Sequence, residues 1–298
     1  MSRPLIIDTD PGIDDALAIL LACASPELEL RALTTVAGNV PLARVTENAL
    51  KLLELGGKAG IPVYPGSDAP LARKPVVAQV HGTSGMDGAD LPAPRAKPEP
   101  GHAVDYLVET LSAAAPKSVT LAAIGPLTNV AAALEQAPEI GAALAELVIM
   151  GGATPAIGGN MSPHAEFNIF VDPEAAAVVF ASGLPITLVP LDLSHQMLAS
   201  LARIERFAAI GGPVGRSVAG MLRHFHQGDG HLHDPLTIAW LLRPDLFSGR
   251  RATVRIETSG PRDGETVFDW REDGNCRVLL QGDDEGFFDF LIERLSRL

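Results

Sequence analysis

Short apolar runs alternate with helical patterns through the first two-thirds of this 298-residue chain, and that alternation admits few folds. Leu5–Ile7, Leu28–Val36, Val119–Ala123, Leu147–Met150 and Ile186–Val189 read as strands. Helical patterns follow them at Asp14 to about Ala24 and about Pro41 to Leu55, then from near Leu127, Asp172 and Leu198. Strands buried on both faces are near-continuous apolar runs, and parallel neighbours are joined by a crossover, usually a helix. The pattern predicts an α/β fold with a mostly parallel central sheet flanked by helices. Nearer the C-terminus, Ala252–Glu257, Glu265–Trp270 and Cys276–Leu280 read as a few short strands joined by Gly/Asp turns, before a last helix from about Gly286. No stretch has a linker composition and no internal repeat is visible, so residues 1–298 read as a single domain.

Open α/β sheets bind ligands beyond the carboxyl ends of their strands, and this chain places acids there. Asp8, Asp10, Asp14 and Asp15 fall between the first apolar run and its helix, with Pro11-Gly12 turning the chain. Like charges so close repel one another unless some take up protons or a cation sits among them. Every candidate ligand atom is oxygen, so the cation should be hard: calcium or magnesium rather than zinc. Helix capping accounts for Asp14 and Asp15 but leaves Asp8 and Asp10 unexplained.

Further polar residues fall at strand ends or in two long loops. Asn39 follows the second strand, and the proline-rich loop Pro65–Pro100 carries His81. The loop Gly151–Val171 carries Asn160, Glu166 and Asn168, and His231-Leu232-His233-Asp234-Pro235 precedes a helical pattern. Structureless loops this long in a compact domain are usually functional. Taken singly, Asn39 is a turn residue and Asp234 before Pro235 a helix cap; their joint placement carries the argument. Amides beside carboxylates suit a neutral ligand rich in hydroxyls. A phosphate loop is absent, because Gly56-Gly57-Lys58 neither follows a strand nor precedes a hydroxyl residue.

With 36 acidic against 23 basic residues, the net charge of −13 argues against nucleic acid or an anionic membrane as partner. The longest apolar run, Ala16–Ala24, is too short to span a bilayer. Strand residues begin at once with no signal-peptide pattern, and Cys23 and Cys276 have no metal-ligand spacing. A cytoplasmic protein without a disulfide framework is expected.

Asp8-Thr9-Asp10-Pro11-Gly12-Ile13-Asp14-Asp15-Ala16 resembles the N-terminal signature of the inosine-uridine-preferring nucleoside hydrolases. The resemblance continues at Ala37-Gly38-Asn39, His81-Gly82-x-x-Gly85, Gly125-Pro126-Leu127-Thr128-Asn129, Met150-Gly151-Gly152, Asn160, Glu166-Phe167-Asn168 and His233-Asp234-Pro235. It covers essentially the whole chain in order. It implies that Asp10, Asp15 and Asp234 hold a calcium ion together with the backbone carbonyl of Ile124. It implies that Asp14, Asn39, Asn160, Glu166, Asn168 and Asp234 grip the ribose, with Met150 lining the sugar pocket. His81 and His233 would then face the nucleobase. The partner would be a small nucleoside, and the assembly a homodimer or homotetramer.

Cleaving an N-glycosidic bond to free base and ribose requires a nucleophile at the anomeric carbon, stabilisation of an oxocarbenium-like sugar and help for the departing base. Calcium acidifies a bound water less than zinc does, so a carboxylate should take the proton. Asp10 is the expected general base, and His233 the expected acid for the base. The segment His224-Phe225-His226-Gln227-Gly228 lacks the tyrosines of some purine-accepting relatives, and Trp240 and Trp270 do not match the tryptophans of purine-specific ones. Uridine, cytidine or a broad range is favoured over strict purine specificity.

Two rival readings use the same acids. In a haloacid-dehalogenase-like phosphatase, Asp8 would be the nucleophile and Asp10 the acid, with Gly228-Asp229-Gly230-x-x-x-Asp234 as a late acidic motif. That motif should follow an apolar strand, and Met221–Gln227 is instead a polar helical pattern. A calcium-dependent sugar-binding module would explain the oxygen ligands and amides but not the two histidines.

Overall fold

The computed structural model describes residues 2–78 and 80–298. Strands β1 (Arg3–Thr9), β2 (Leu28–Thr35), β3 (Val63–Pro65), β4 (Val119–Ala123), β5 (Leu144–Met150), β6 (Ile186–Val189), β7 (Phe247–Ile256), β8 (Thr266–Trp270) and β9 (Cys276–Gly282) form one sheet in the order β3-β2-β1-β4-β5-β6-β9-β7-β8. Pairings from β3 through β9 are parallel, and β7 runs antiparallel to both β9 and β8. The helices are α1 (Ile13–Cys23), α2 (Leu42–Leu55), α3 (Ala103–Ala113), α4 (Thr128–Gln136), α5 (Phe167–Val171), α6 (Pro173–Ala181), α7 (Leu191–Ser194), α8 (Leu201–Ala209), α9 (Gly212–Phe225), α10 (Pro235–Leu242) and α11 (Asp284–Leu295). The predicted α/β class, mostly parallel sheet and C-terminal strands are all present, and the antiparallel direction of β7 is added by the structure.

Successive strand side chains point to opposite faces, and the central strands feed two apolar layers. Leu5 and Ile7 of β1 pack with α1, α2, α9, α10 and α11, whereas Ile6 packs on the other face with α3, α4 and α6. Every residue of α1 and of β4 is buried, which is why neither shows a polar stripe in the sequence. Strand order reverses between β1 and β4, so their crossovers leave in opposite directions and open a crevice beyond their carboxyl ends. Asp8 and Asp10 lie at that end of β1, and Ile124 directly follows β4.

The differences from the sequence reading are local. Helix α3 was not expected; only Ala103, Val104, Leu107 and Leu111 are buried, and His102 caps it. Strand β3 has three residues, too few to carry a period. The helix expected near Leu198 begins at Leu201, after α7, with Ser200 as its cap. The loop after β5 contains α5 near its end. Among the described residues, no helix is long and apolar enough to cross a membrane.

Candidate active site

The floor of the crevice is a set of buried carboxylates fixed by backbone and short polar side chains. Asp8 Oδ1 accepts from Thr34 Oγ1 at 2.5 Å and Asn129 Nδ2 at 2.9 Å, tying β1 to β2 and α4. Its burial pushes its pKa up to about 7. Asp10 Oδ2 accepts from the Asn39 backbone N–H at 2.7 Å. The Asn39 side chain donates to the Asp10 carbonyl and to Asp15 Oδ2, both at 3.1 Å. Asp15 also accepts from Thr9 Oγ1 at 2.5 Å and the Gly12 N–H at 2.9 Å, the latter satisfying an end of α1. A side chain at Gly38 would collide with Asp10 Oδ2, and one at Gly125 would lie 2.6 Å from Asp10 Oδ1.

Carboxylate oxygens of Asp14, Asp15 and Asp234 converge within 4.8 Å of one another. Burial raises the pKa of Asp10, Asp14, Asp15 and Asp234, and neighbouring acid charge pushes each further the same way. Asp10 Oδ1 is buried with no hydrogen-bond partner among the described residues. Buried charges are stable only when paired or bound to a cation, and this all-oxygen donor set fits a hard divalent ion. The converging group shares Asp15 and Asp234 with the expected ligands and adds Asp14. Asp10, an expected ligand, is not part of that group; the Asn39 side chain links its carbonyl to Asp15. The Ile124 carbonyl accepts from Asn168 Nδ2 at 3.0 Å and keeps one lone pair.

Above the floor lies a cavity of about 450 Å³. All eight expected substrate contacts line it: Asp14, Asn39, His81, Met150, Asn160, Glu166, Asn168 and Asp234. Ile124 and His233 line it too, while Asp10 and Asp15 do not. Glu166 caps α5, accepting from the N–H groups of Asn168, Gly152 and Ile169 at 3.0, 3.0 and 3.2 Å. Burial nonetheless raises its pKa. The Asn168 amide also donates to the Met150 carbonyl at 3.2 Å, strapping the long loop to the end of β5. Asn160 stands at the exposed rim, its side-chain oxygen accepting from the Phe167 N–H at 2.9 Å.

The opposite end of the cavity is histidine-rich. His81 Nδ1 accepts from the Ile13 N–H at 3.1 Å, which leaves the proton on Nε2. Burial pushes its pKa down to about 4, so the ring is neutral, and it stacks on Phe225 at 5.3 Å. His233 pairs Nδ1 with Ser194 Oγ at 2.8 Å and Nε2 with Asp229 Oδ2 at 3.0 Å. Asp229 Oδ1 holds His231 Nδ1 at 2.7 Å. Burial alone would raise the Asp229 pKa, but the hydrogen bonds from His231 and His233 outweigh it and hold the carboxyl well below its usual range. Burial likewise disfavours charge on His233, yet Asp229 leaves its pKa raised. The His195 ring lies 4.9 Å from His231 and 6.0 Å from His233.

The sequence reading gave His195, His231 and Phe225 no site role, and Asp229 one only in the phosphatase alternative, yet all four line the cavity. Asp229 stands four residues before His233, a readable signal; His195 arrives through the fold with no local pattern. The phosphatase reading fails on geometry. Asp8 is fully buried and bonded into the sheet, and Gly228-Asp229-Gly230 follows a helix rather than a strand.

The family model described as inosine-uridine preferring nucleoside hydrolase matches residues 5–289. An uncharacterised protein of Schizosaccharomyces pombe is 49% identical over 99% of both chains. The pyrimidine-specific ribonucleoside hydrolase RihA of Photobacterium profundum is 45% identical, again over 99% of both. Among solved structures, a purine-preferring ribonucleoside hydrolase from Gardnerella vaginalis superposes with a TM-score of 0.92 at 31% identity, covering 99% of this chain and 98% of its own.

Proposed function

The chain belongs to the inosine-uridine preferring nucleoside hydrolases, which hydrolyse the N-glycosyl bond of ribonucleosides, and we propose that its own substrates are pyrimidine ribonucleosides, uridine and cytidine foremost. The observation that carries this reading is the single cavity lined by every expected ribose contact above the acid cluster. The 45% identity to a pyrimidine-specific hydrolase supports the base preference. So does the use of the tyrosines and tryptophans elsewhere. Tyr64 stacks on Tyr106, Trp240 donates to Glu146, and Trp270 stacks on Phe268. We read residues 1–298 as one nucleoside hydrolase domain, working in the cytoplasm with buried, unpaired Cys23 and Cys276. The family resemblance supports a homodimer or homotetramer.

Asp10, Asp15, Asp234 and the Ile124 carbonyl would hold calcium, with Asp14 beside them. When bound, the ion supplies the positive charge that keeps these acids ionised and makes water at the ribose easier to deprotonate. Asp10 takes the proton from the attacking water. Asp14, Glu166 and Asp234 accept from the ribose hydroxyls, while Asn39, Asn160 and Asn168 supply amide donors and acceptors, and Met150 covers the sugar. As the bond to the base lengthens, positive charge grows on the sugar above this anionic floor and is stabilised by it. Neutral His81 offers its Nε2–H to the base, and His233 is the proton source for its departure.

Ribose release from uridine, cytidine, inosine and adenosine, with and without a chelator, tests the reading. Uridine and cytidine should be turned over fastest, with activity lost on chelation and restored by calcium. Faster turnover of inosine overturns the base preference. Undiminished turnover in chelator overturns the metal requirement.

A further inference from the structure

The two histidines held by Asp229 are not equivalent. An ionised carboxylate only accepts, so both ring nitrogens facing Asp229 carry hydrogens. His233 is buried and engages both nitrogens, one with Asp229 and one with Ser194. His231 gives only Nδ1 to Asp229, and among the described residues its Nε2 has no hydrogen-bond partner. Its ring lines the cavity, its side chain keeps 27% of its exposure, and His195 packs at 4.9 Å. A histidine oriented through one nitrogen by a carboxylate, with the other nitrogen open to a ligand, is the arrangement of a working acid or base.

We propose that His231 is a second proton donor to the departing base and that Asp229 is its positioning residue. This rests on the nucleoside hydrolase reading above. The bond from C1′ to the base nitrogen breaks and its electron pair stays with the base. The Nε2 proton of the His231 imidazolium, in place of one from His233, passes to the base atom bearing that charge, a carbonyl oxygen in a pyrimidine. The water oxygen forms the new bond to C1′, and its proton goes to Asp10. Solvent then reprotonates His231 and removes the proton from Asp10, which closes the cycle.

The test compares uridine with 4-nitrophenyl β-D-ribofuranoside, whose leaving group departs as a phenolate and needs no proton. In His231→Ala, kcat on uridine should fall about 10²-fold and the ratio of uridine to aryl-riboside turnover by at least about 10-fold. His231→Gln, which retains bulk, should show the same selective loss, and Asp229→Asn a smaller one in the same direction. Equal losses on both substrates in both His231 variants overturn the proposal, as does undiminished uridine turnover. If the wild-type protein cleaves the aryl riboside but no nucleoside, the nucleoside reading falls and this role with it. Selective loss in His233→Ala with none in the His231 variants overturns the second donor alone.

Discussion

At the floor of the cavity, the acids hang from the end of β1 and the first turn of α1, with Asp10 and Asp15 locked by the backbone N–H groups of Asn39 and Gly12. At the base end, His195 follows α7 and Asp229, His231 and His233 lie in the stretch between α9 and α10, where side chains hold one another. The floor is therefore as rigid as the sheet that carries it. The base end is tied by backbone bonds of Gly230 and Leu232 to Ala199 and Met197, and its histidine rings are held by side chains. On the proposed function, scaffold residues would fix the sugar chemistry, and loop residues would select and release the base.

Asp10→Ala probes the floor most severely. Its kcat on uridine should fall about 10³-fold, with bound calcium checked by metal analysis. Near-full turnover with calcium retained would remove the general base from Asp10 and make the floor a binding site only. His81 joins the two regions, since its ring stands at the base end while its Nδ1 receives the N–H of Ile13 beside the acids. Its native pKa is about 4 against an ordinary 6.5, so the unfolded chain takes up a proton between these values and the native one does not. The stability this adds is complete above pH 6.5 and declines as pH falls toward 4. Chemical denaturation at pH 7.5 and 4.5 should reveal a component of up to about 3 kcal/mol that His81→Gln lacks. Identical pH dependence in the two proteins would mean that the His81 ring is hydrated. The smallest effect belongs to the rim. Asn160→Ala should raise KM for uridine by only a few-fold, the worth of about 1 kcal/mol for one hydrogen bond, and kcat should hold. A large fall in kcat would extend the rigid floor to the loop.

The same contrast decides what the sequence made legible. The β1–turn–α1 unit is contiguous, so its apolar run, its acids and its helix pattern can be read in one stretch from Leu5 to Leu20. Asn39, Glu166 and Asn168 stand just beyond strands or in the loops that follow them, and topology alone predicts their convergence. His195 and Ser194 meet His233 only because the turn after α7 is bonded through Met197 and Ala199 to Leu232 and Gly230, just before α10. No local spacing carries that information. Phe225 closes a helix that looks polar, and its ring stacks on His81 from a distant part of the chain. Helix α3 escaped notice for a simpler reason: its buried face is four residues, two of them small enough or short enough to blur the period.

Asp10 sits between two glycines that carry no chemistry. Any side chain at Gly38 or Gly125 would intrude on its carboxylate oxygens, one on Oδ2 and the other on Oδ1. In a saturation mutagenesis of the whole gene scored by activity, those two positions should therefore be as intolerant as Asp10 itself, with alanine already damaging. A scan read without the structure would count three essential residues where, on the proposed mechanism, one does chemistry and two merely keep out of its way.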